Sequence, residues 1–284
     1  MTIERIGVVG AGQMGGGIAE VAARGGVDVV VRDVDAAALE SGEAAIRASL
    51  GRALSKDKLD QAAHDAILGR LEFTTEVAGF ADVDLVVEAI VEDLGVKTAV
   101  FAELDEVCKA DAVLATNTSS IPIIDVAAAT NRPDRVIGLH FFNPAPVMAL
   151  VEVIPSIATA EDVTASITSF ATDRLGKTVV RAEDRGGFIV NALLVPYLLS
   201  AIRMFDDGHA TAADIDTGMQ LGCGHPMGPL ALSDLIGIDT VMHVADSLYE
   251  EFRRDDCVSP PLVRRMVRAG KLGRKSGEGF FSYR

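Results

Sequence analysis

The stretch "GVVGAGQMGGGIAE", residues 7–20, decides the fold of this chain. Its start completes the β-rich run "RIGVVG", and its end opens a helical pattern that continues as "VAARGG". Between the two, Gly10, Gly12 and Gly15 stand in the spacing G-x-G-x-x-G. A strand, a glycine-rich turn and a helix in this order are typical of the first β–α unit of a doubly wound α/β fold.

The three glycines suit a turn that holds a dinucleotide. Gly10 permits the tight turn, Gly12 lets the backbone approach a pyrophosphate, and Gly15 lets the helix pack closely on the strand. The second strand, "DVVVRD", ends in Asp33, eighteen residues after Gly15. An acid there accepts hydrogen bonds from ribose hydroxyls and repels a 2′-phosphate, which predicts NAD as the cofactor. The neighbouring Arg32 leaves NADP open, and a tight turn without a ligand is the alternative for the motif.

Short β-rich runs alternate with helical patterns as far as "RAEDRGGF", around residue 184, and almost none follow it. The alternation predicts βαβ units and a mostly parallel sheet. We therefore expect a Rossmann-type, doubly wound domain over residues 1–184 and a smaller all-helical domain over residues 185–284. The β-rich runs after "DVVVRD" are "RLEFTT", "DLVVEAI", "AVLATN", "RVIGLH" and "MALVEVI".

The second domain has its own helix signals. A helix that starts near Phe188 is apolar on most faces, and the run from Phe188 to Ile202 is more than one small domain readily buries alone. This run predicts a homodimer formed mainly through the helical domain. Glycines mark the expected helix ends and hydroxyl residues the expected beginnings: Gly208, Gly222 and Gly270, and Thr211 and Ser259.

Composition limits the class of partner. A formal net charge of −15 over 284 residues argues against nucleic acid, and an anionic substrate would need a local basic patch. The three cysteines are odd in number and show neither a disulfide framework nor a zinc spacing, which fits a reducing cytoplasm and no metal. The first apolar run starts at Arg5 and leaves no room for a signal peptide. The most apolar later segment is broken by Asn191 and Pro196, so no membrane span is expected.

Polar residues interrupt two apolar segments. "GLHFFNPAPVMALVEVI", residues 138–154, carries His140, Asn143 and Glu152, and "ATNTSSIPI", residues 115–123, ends a β-rich run. Ligands of open α/β sheets bind at the carboxyl ends of strands. A histidine paired with a carboxylate is a general acid/base with a fixed tautomer. The alternatives are a core histidine bonded to a backbone carbonyl and, for the serines, helix capping.

At this point the sequence resembles a known family. The motifs "GAGQMG", "VVEAIVED", "NTSS", "LHFFNPAPVMALVEV", "GFIVNALLVPYL", "HPMGPL" and "GRKSGEGFF" are similar to those of the 3-hydroxyacyl-CoA dehydrogenases, above all the short bacterial 3-hydroxybutyryl-CoA dehydrogenases. The resemblance covers nearly the whole chain in order. It implies a Rossmann-type domain followed by a helical domain that forms the dimer, with the polar groups facing a cleft between domains.

The resemblance also implies roles for the polar residues. His140 is expected to be the catalytic base that takes the 3-hydroxyl proton as hydride leaves C3 for the nicotinamide. Glu152 is expected to orient this histidine, and Ser119 and Asn191 to hydrogen-bond the reacting oxygen and the junction of cofactor and substrate.

Further positions correspond to cofactor and coenzyme A contacts. Each lysine also has a non-functional alternative. Lys97 could be solvated, Lys275 could belong to a mobile tail, and Lys56 could be one charge in a polar loop. The expected cofactor contacts beyond the glycines and Asp33 are Gln13, Met14, Glu92, Lys97, Ser119, Asn143 and Lys275, and the expected coenzyme A contacts are Ser49, Lys56 and Ser119.

The implied activity is NAD-dependent interconversion of (S)-3-hydroxyacyl-CoA, expected to be 3-hydroxybutyryl-CoA, and 3-oxoacyl-CoA, in fatty acid and butanoate metabolism. The motifs leave open the same chemistry on acyl-carrier-protein thioesters or aromatic-acid intermediates. A non-catalytic, crystallin-like protein is the third reading, although it would be expected to lose His140 or Glu152. Two positions depart from the family pattern: Gly186 replaces a proline or serine, which would loosen the interdomain hinge, and Gly95 replaces a long side chain.

Overall fold

The computed structural model describes residues 2–283. Within it the chain forms two compact units that divide between Arg185 and Gly186, beside the boundary that the sequence predicts between residues 184 and 185. No helix of the described residues is both long enough and apolar enough to cross a membrane.

The first unit contains one eight-stranded sheet in the order β3-β2-β1-β4-β5-β6-β7-β8. Neighbouring strands are parallel except for β6 and β7, which are antiparallel. The expected doubly wound, mostly parallel sheet is thus confirmed. The strands are β1 Arg5–Val9, β2 Asp28–Arg32, β3 Leu71–Thr74, β4 Leu85–Glu88, β5 Val113–Thr116, β6 Val136–Phe141, β7 Leu150–Pro155 and β8 Thr178–Arg181.

Six α-helices connect these strands. The central strands read as continuous apolar runs because helices cover both faces of a parallel sheet, and β4, β5 and β6 are buried at every position. The helices are α1 Gln13–Arg24, α2 Ala36–Ser55, α3 Gln61–Leu68, α4 Leu94–Val107, α5 Ile123–Ala127 and α6 Glu161–Ser169.

All seven β-rich runs of the sequence form strands, whereas β8 was not expected. This edge strand has only four residues, of which none is fully buried. β3, the other edge strand, has the same length and also no buried residue, and it was predicted. The run TVV was the available signal for β8, whose pairing with β7 is a tertiary contact.

The second unit is helical, as predicted. Two of its expected helix boundaries are wrong. Gly222 lies inside α8, and the left-handed residue that ends this helix is Gly224, with φ 71°. Pro260 and Pro261 begin α11 in place of Ser259, because proline at the first helical positions needs no amide partner. The helices are α7 Val190–Asp206, α8 Ala212–Cys223, α9 Pro229–Ile236, α10 Ile238–Phe252 and α11 Pro261–Arg268.

Gly186 opens the second unit. Its amide donates a hydrogen bond to the Glu251 carboxylate at 2.5 Å. A proline at this position would have no N–H to donate. The departure at Gly186 therefore has a structural partner in α10.

Candidate active site

The glycine-rich turn has the geometry that its spacing predicts. Gly10 has φ +100°, a conformation that side chains rarely adopt. A Cβ at Gly15 would lie 1.9 Å from the Gly10 carbonyl oxygen, so only glycine lets α1 approach the turn. A Cβ at Gly12 would meet nothing within 4 Å, and α1 begins there without a side-chain cap. The first amides of α1 therefore face an open cradle, which fits the pyrophosphate of a dinucleotide.

Asp33 and Arg32, at the end of β2, point to different partners. Asp33 Oδ2 accepts a hydrogen bond from the Ala11 amide at 2.9 Å, which fixes the carboxylate beside the glycine-rich turn. The Arg32 guanidinium is buried, donates to the Thr75 carbonyl oxygen at 3.3 Å and pairs with Glu103 at 3.2 Å. Arg32 is the residue that made NADP an alternative, and it is paired with Glu103. The side chain beside the glycine-rich turn is therefore that of Asp33.

His140 and Glu152 form a buried pair across β6 and β7. They are register partners in the antiparallel ladder, so their side chains lie on the same face of the sheet. His140 Nδ1 lies 2.7 Å from Glu152 Oε2, and the two residues are 4% and 0% exposed. A carboxylate accepts, so Nδ1 carries the proton and Nε2 is the acceptor of the neutral ring.

Ser119 lies on the other side of the imidazole ring. Its hydroxyl oxygen is 3.2 Å from His140 Nε2, and the serine is only half-buried. The loop that carries it follows β5, at the carboxyl end of the strand, where the sequence predicts a ligand site. The side chain of Asn117, in the same loop, accepts a hydrogen bond from the Phe141 amide at 2.8 Å and so ties this loop to β6.

The Glu92 side chain binds the same loop, mainly at backbone amides of the loop. Its Oε1 accepts hydrogen bonds from the amides of Ser119 at 2.9 Å and Ser120 at 3.2 Å, and from the Thr118 hydroxyl at 2.5 Å. Burial alone would raise the pKa of Glu92, but the Lys97 ammonium and these hydrogen bonds outweigh it and hold the pKa below its ordinary value. Glu92 is therefore a carboxylate at neutral pH.

Lys97 is buried, so the alternative that it is a solvated lysine is wrong. It is 1% exposed, and its Nζ donates to Glu88 Oε1 at 2.6 Å and lies 3.4 Å from Glu92 Oε2. Glu88, itself 0% exposed, was not identified from the sequence. Its position at the end of an apolar β-run was the available signal, since a buried carboxylate needs partners.

A groove of about 700 Å³ in the first unit runs from the glycine-rich turn to the end of α2. It brings the predicted cofactor contacts Gly12, Gln13 and Asn143 together with the predicted coenzyme A contacts Ser49 and Lys56. Lys56 itself lies in the exposed turn after α2, so its role toward coenzyme A stays a prediction. Three further cations in the lining were missed, although two of them precede and follow Lys56 closely: Arg24, Arg52 and Lys58.

The remaining predicted residues lie elsewhere. Met14 is half-buried and packs against the core of the first unit. Asn191 occupies the first turn of α7, and Lys275 pairs with Asp239 at 2.6 Å in the second unit. Lys275 is held by this ion pair and is not part of a mobile tail. The roles of these residues toward cofactor and substrate stay predictions.

The Rossmann-type sheet, the glycine-rich cradle and the acid beside it define an NAD-dependent oxidoreductase. Family models give the particular class. The 3-hydroxyacyl-CoA dehydrogenase NAD binding domain matches residues 5–185, and the 3-hydroxyacyl-CoA dehydrogenase C-terminal domain matches residues 187–283. The chain belongs to the 3-hydroxyacyl-CoA dehydrogenase family, and NAD is its cofactor.

Individual relatives agree with this assignment along the whole chain. A 3-hydroxybutyryl-CoA dehydrogenase of Mycobacterium tuberculosis is 55% identical over 282 residues, which cover 99% of each chain. The crystal structure of M. tuberculosis FadB2 matches with a TM-score of 0.99 at 55% identity and covers 100% of both chains. That of (S)-3-hydroxybutyryl-CoA dehydrogenase PaaH1 from Ralstonia eutropha matches with a TM-score of 0.94 at 41% identity, again over 100% of both.

Proposed function

We propose that this enzyme interconverts (S)-3-hydroxybutyryl-CoA and acetoacetyl-CoA with NAD. The observation that carries the proposal is the buried His140–Glu152 pair with the Ser119 hydroxyl 3.2 Å from Nε2 of the same imidazole. The full-length similarity to proteins named for this activity supports the choice of substrate.

His140 moves the proton of the reaction. Glu152 accepts the Nδ1–H, so Nε2 takes the proton of the 3-hydroxyl group in oxidation and returns it in reduction. Because the carboxylate is 0% exposed, its charge is little screened and stabilises the imidazolium that forms in oxidation. NAD, when bound, accepts the hydride from C3 of the substrate.

Ser119 binds the reacting oxygen. Its hydroxyl lies beside Nε2, so an oxygen bound between the two receives a hydrogen bond from serine while it exchanges a proton with histidine. Two polar groups that converge on one oxygen define which substrate carbon faces the cofactor. This arrangement also stabilises the negative charge that develops on the oxygen when its proton leaves.

The cationic end of the groove suits the phosphates of coenzyme A. The protein carries a net charge of −15, so an anionic thioester needs local cations to bind. Arg52, Lys56 and Lys58 supply three positive charges at the end of α2, with Ser49 one turn away. We assign the coenzyme A moiety to this end and the cofactor to the glycine-rich end.

The predicted homodimer and the cytoplasmic location belong to this proposal as well. The helical unit leaves several large apolar side chains exposed, among them Leu193 at 73% and Leu221 at 84%, as a subunit interface requires. Asn191 and Lys275 are assigned to substrate and cofactor on the family resemblance alone.

The test is oxidation of NADH in the presence of acetoacetyl-CoA. We expect turnover with acetoacetyl-CoA, weaker or no turnover with free acetoacetate, and a preference for NADH over NADPH because Asp33 lies at the turn and Arg32 is paired with Glu103. A series of longer 3-oxoacyl-CoAs measures chain-length preference. Turnover only with an acyl-carrier-protein or aromatic thioester would replace this substrate with the alternative, and turnover with none would contradict the proposal.

A further inference from the structure

A chain of buried groups stands behind the Ser119 loop. Glu88, the last residue of β4, is 0% exposed and accepts three hydrogen bonds. Its Oε1 accepts from Lys97 Nζ at 2.6 Å and the Ile90 amide at 2.7 Å, and its Oε2 accepts from the Thr116 hydroxyl at 2.7 Å. Lys97 lies on α4, Thr116 on β5 and Ile90 in the loop after β4, so this carboxylate joins β4, β5 and α4.

Two routes lead from Glu88 to the loop. In the first, Lys97 Nζ, placed by Glu88, faces Glu92 Oε2 at 3.4 Å, and Glu92 Oε1 holds the Ser119 amide at 2.9 Å. In the second, the Thr116 hydroxyl accepts a hydrogen bond from the Thr118 amide at 3.1 Å. Both routes end on the residues that present the Ser119 hydroxyl to His140.

The charges explain why the first route depends on Glu88. Lys97 lies between the carboxylates of Glu88 and Glu92 and is 1% exposed, so solvent gives its ammonium little compensation for a lost partner. Without the negative charge of Glu88, the ammonium would keep one charged partner, Glu92, and only a neutral acceptor at the end of β4. Lys97 and Glu92 would then move toward each other, away from the positions that fix the loop amides.

From these contacts we propose that Glu88 is a positioning residue for the reaction. It touches neither cofactor nor substrate. Through Lys97, Glu92 and Thr116 it sets the place of the Ser119 hydroxyl, and with it the geometry of the oxygen that exchanges a proton with His140. The inference rests on the proposed function, because it concerns the same site.

The test compares Glu88→Gln with Asp84→Asn. Asp84 precedes the other end of the same strand, accepts from the amides of Glu4 and Arg5, and pairs with Lys109 at 2.5 Å. Both changes remove one charge from a carboxylate that anchors β4, but only Glu88 is connected to the Ser119 loop. Asp84→Asn is therefore a matched control for loss of stability.

We expect kcat per folded molecule to fall about ten- to a hundredfold in Glu88→Gln, as for a reacting group displaced by about an ångström. The KM for NADH should change less than kcat, because the Asp33 carboxylate is held by the Ala11 amide and not by this cluster. In Asp84→Asn, kcat should stay at the wild-type value. Lys97→Met should lower kcat more than the double variant Glu88→Gln/Lys97→Met does. The single variant leaves the buried Glu88 charge uncompensated.

A second measurement does not depend on activity. Hydrogen exchange followed by mass spectrometry should show faster exchange at the amides of residues 118–121 in Glu88→Gln and no change there in Asp84→Asn. Equal loss of melting temperature in both variants, with wild-type kcat and wild-type exchange in Glu88→Gln, would overturn the inference. If the wild-type enzyme turned over no 3-oxoacyl thioester, the proposed function would fail, and the exchange comparison would still decide whether Glu88 positions the loop.

Discussion

Two carboxylates of this enzyme, Glu88 and Glu152, are equally buried and bind different kinds of nitrogen. Each is 0% exposed and each bonds a nitrogen, Lys97 Nζ at 2.6 Å and His140 Nδ1 at 2.7 Å. An alkylammonium keeps its proton near neutral pH, whereas an imidazole exchanges one there. The Lys97–Glu88 pair connects α4 to β4, whereas the His140–Glu152 pair connects two neighbouring strands.

The two pairs also arise from different kinds of contact. His140 and Glu152 are opposite each other in an antiparallel ladder, so the backbone register sets their distance. Lys97 reaches Glu88 from α4, nine residues further along the chain, and helix packing sets that distance. The position of His140 relative to Glu152 is thus set by the backbone ladder of β6 and β7.

The largest effect should come from the imidazole itself. His140→Ala should lower turnover about a hundred- to ten-thousandfold, the usual contribution of general acid/base catalysis, and should leave NADH binding nearly unchanged. Steady-state kinetics and NADH fluorescence titration measure the two. His209→Ala, an exposed histidine of the second unit, is the control. Full turnover by a folded His140→Ala enzyme would end the mechanism and leave the core-histidine alternative.

A smaller effect is expected at the carboxylate partner. Glu152→Gln keeps the shape of the side chain and removes its charge, so turnover should fall about tenfold or more, but by less than in His140→Ala. The double variant should be no worse than His140→Ala alone, because the pair acts as a unit. Glu161→Gln, which breaks the exposed ion pair with Arg181, should be neutral. Additive losses in this double-mutant cycle would show that the two side chains act independently.

Low pH should weaken the contribution of the Glu92 carboxylate to the stability of the fold. The pKa of Glu92 is lower in the folded protein than its ordinary value of 4.5, so the carboxylate stabilises the fold above that pH and loses this contribution as the pH falls through the folded-state pKa. Glu92→Gln should therefore melt roughly 2–8 °C below the wild type at pH 7. Melting curves from pH 7 downward should show this gap closing below about pH 4.5. A melting-temperature difference that stays constant with pH would mean that the charge of Glu92 contributes nothing to stability.

The smallest effects concern two other lysines, whose pH responses should have opposite signs. Burial lowers the pKa of Lys177, whose Nζ donates to the carbonyl oxygens of Ala145 and Met148, both at 2.7 Å. The hydrogen bond with Asp84 raises the pKa of Lys109. As the pH rises toward 10.5, the folded state should gain stability at Lys177, while Lys109 should lose its contribution above that pH.

Urea unfolding of Lys177→Met and Lys109→Met between pH 8 and 11 measures these two slopes. At pH 8, Lys177→Met should cost about 1 kcal/mol, because the carbonyl oxygens of Ala145 and Met148 lose their donor. Relative to each variant, the wild type should become more stable with rising pH in the first comparison and less stable in the second. Slopes of the same sign would contradict the assignment of burial as the dominant influence on Lys177.

Much of the molecule could be predicted from the sequence because the relevant signals are local. The spacing of Gly10, Gly12 and Gly15 between a β-rich run and a helical pattern predicts the turn, and the structure has the strained φ at Gly10 and the close approach at Gly15. Apolar runs predict seven of the eight strands, since strands buried on both faces carry no alternation. The edge strand β8 was missed, although its sequence TVVR contains a short β-branched run.

The chemistry of the site was determined partly by sequence and partly by packing. That His140 and Glu152 belong together follows from the motifs that carry them, and the antiparallel register brings their atoms to 2.7 Å. Which carboxylate holds Lys97, and whether Arg32 faces a ribose or Glu103, depends on side chains 9 and 71 positions apart that meet only when α4 packs on the sheet. A sequence pattern reports which face of an element is buried. It does not report which polar groups share the buried space, because their partners are chosen by tertiary packing and by the need of each buried charge for an opposite one.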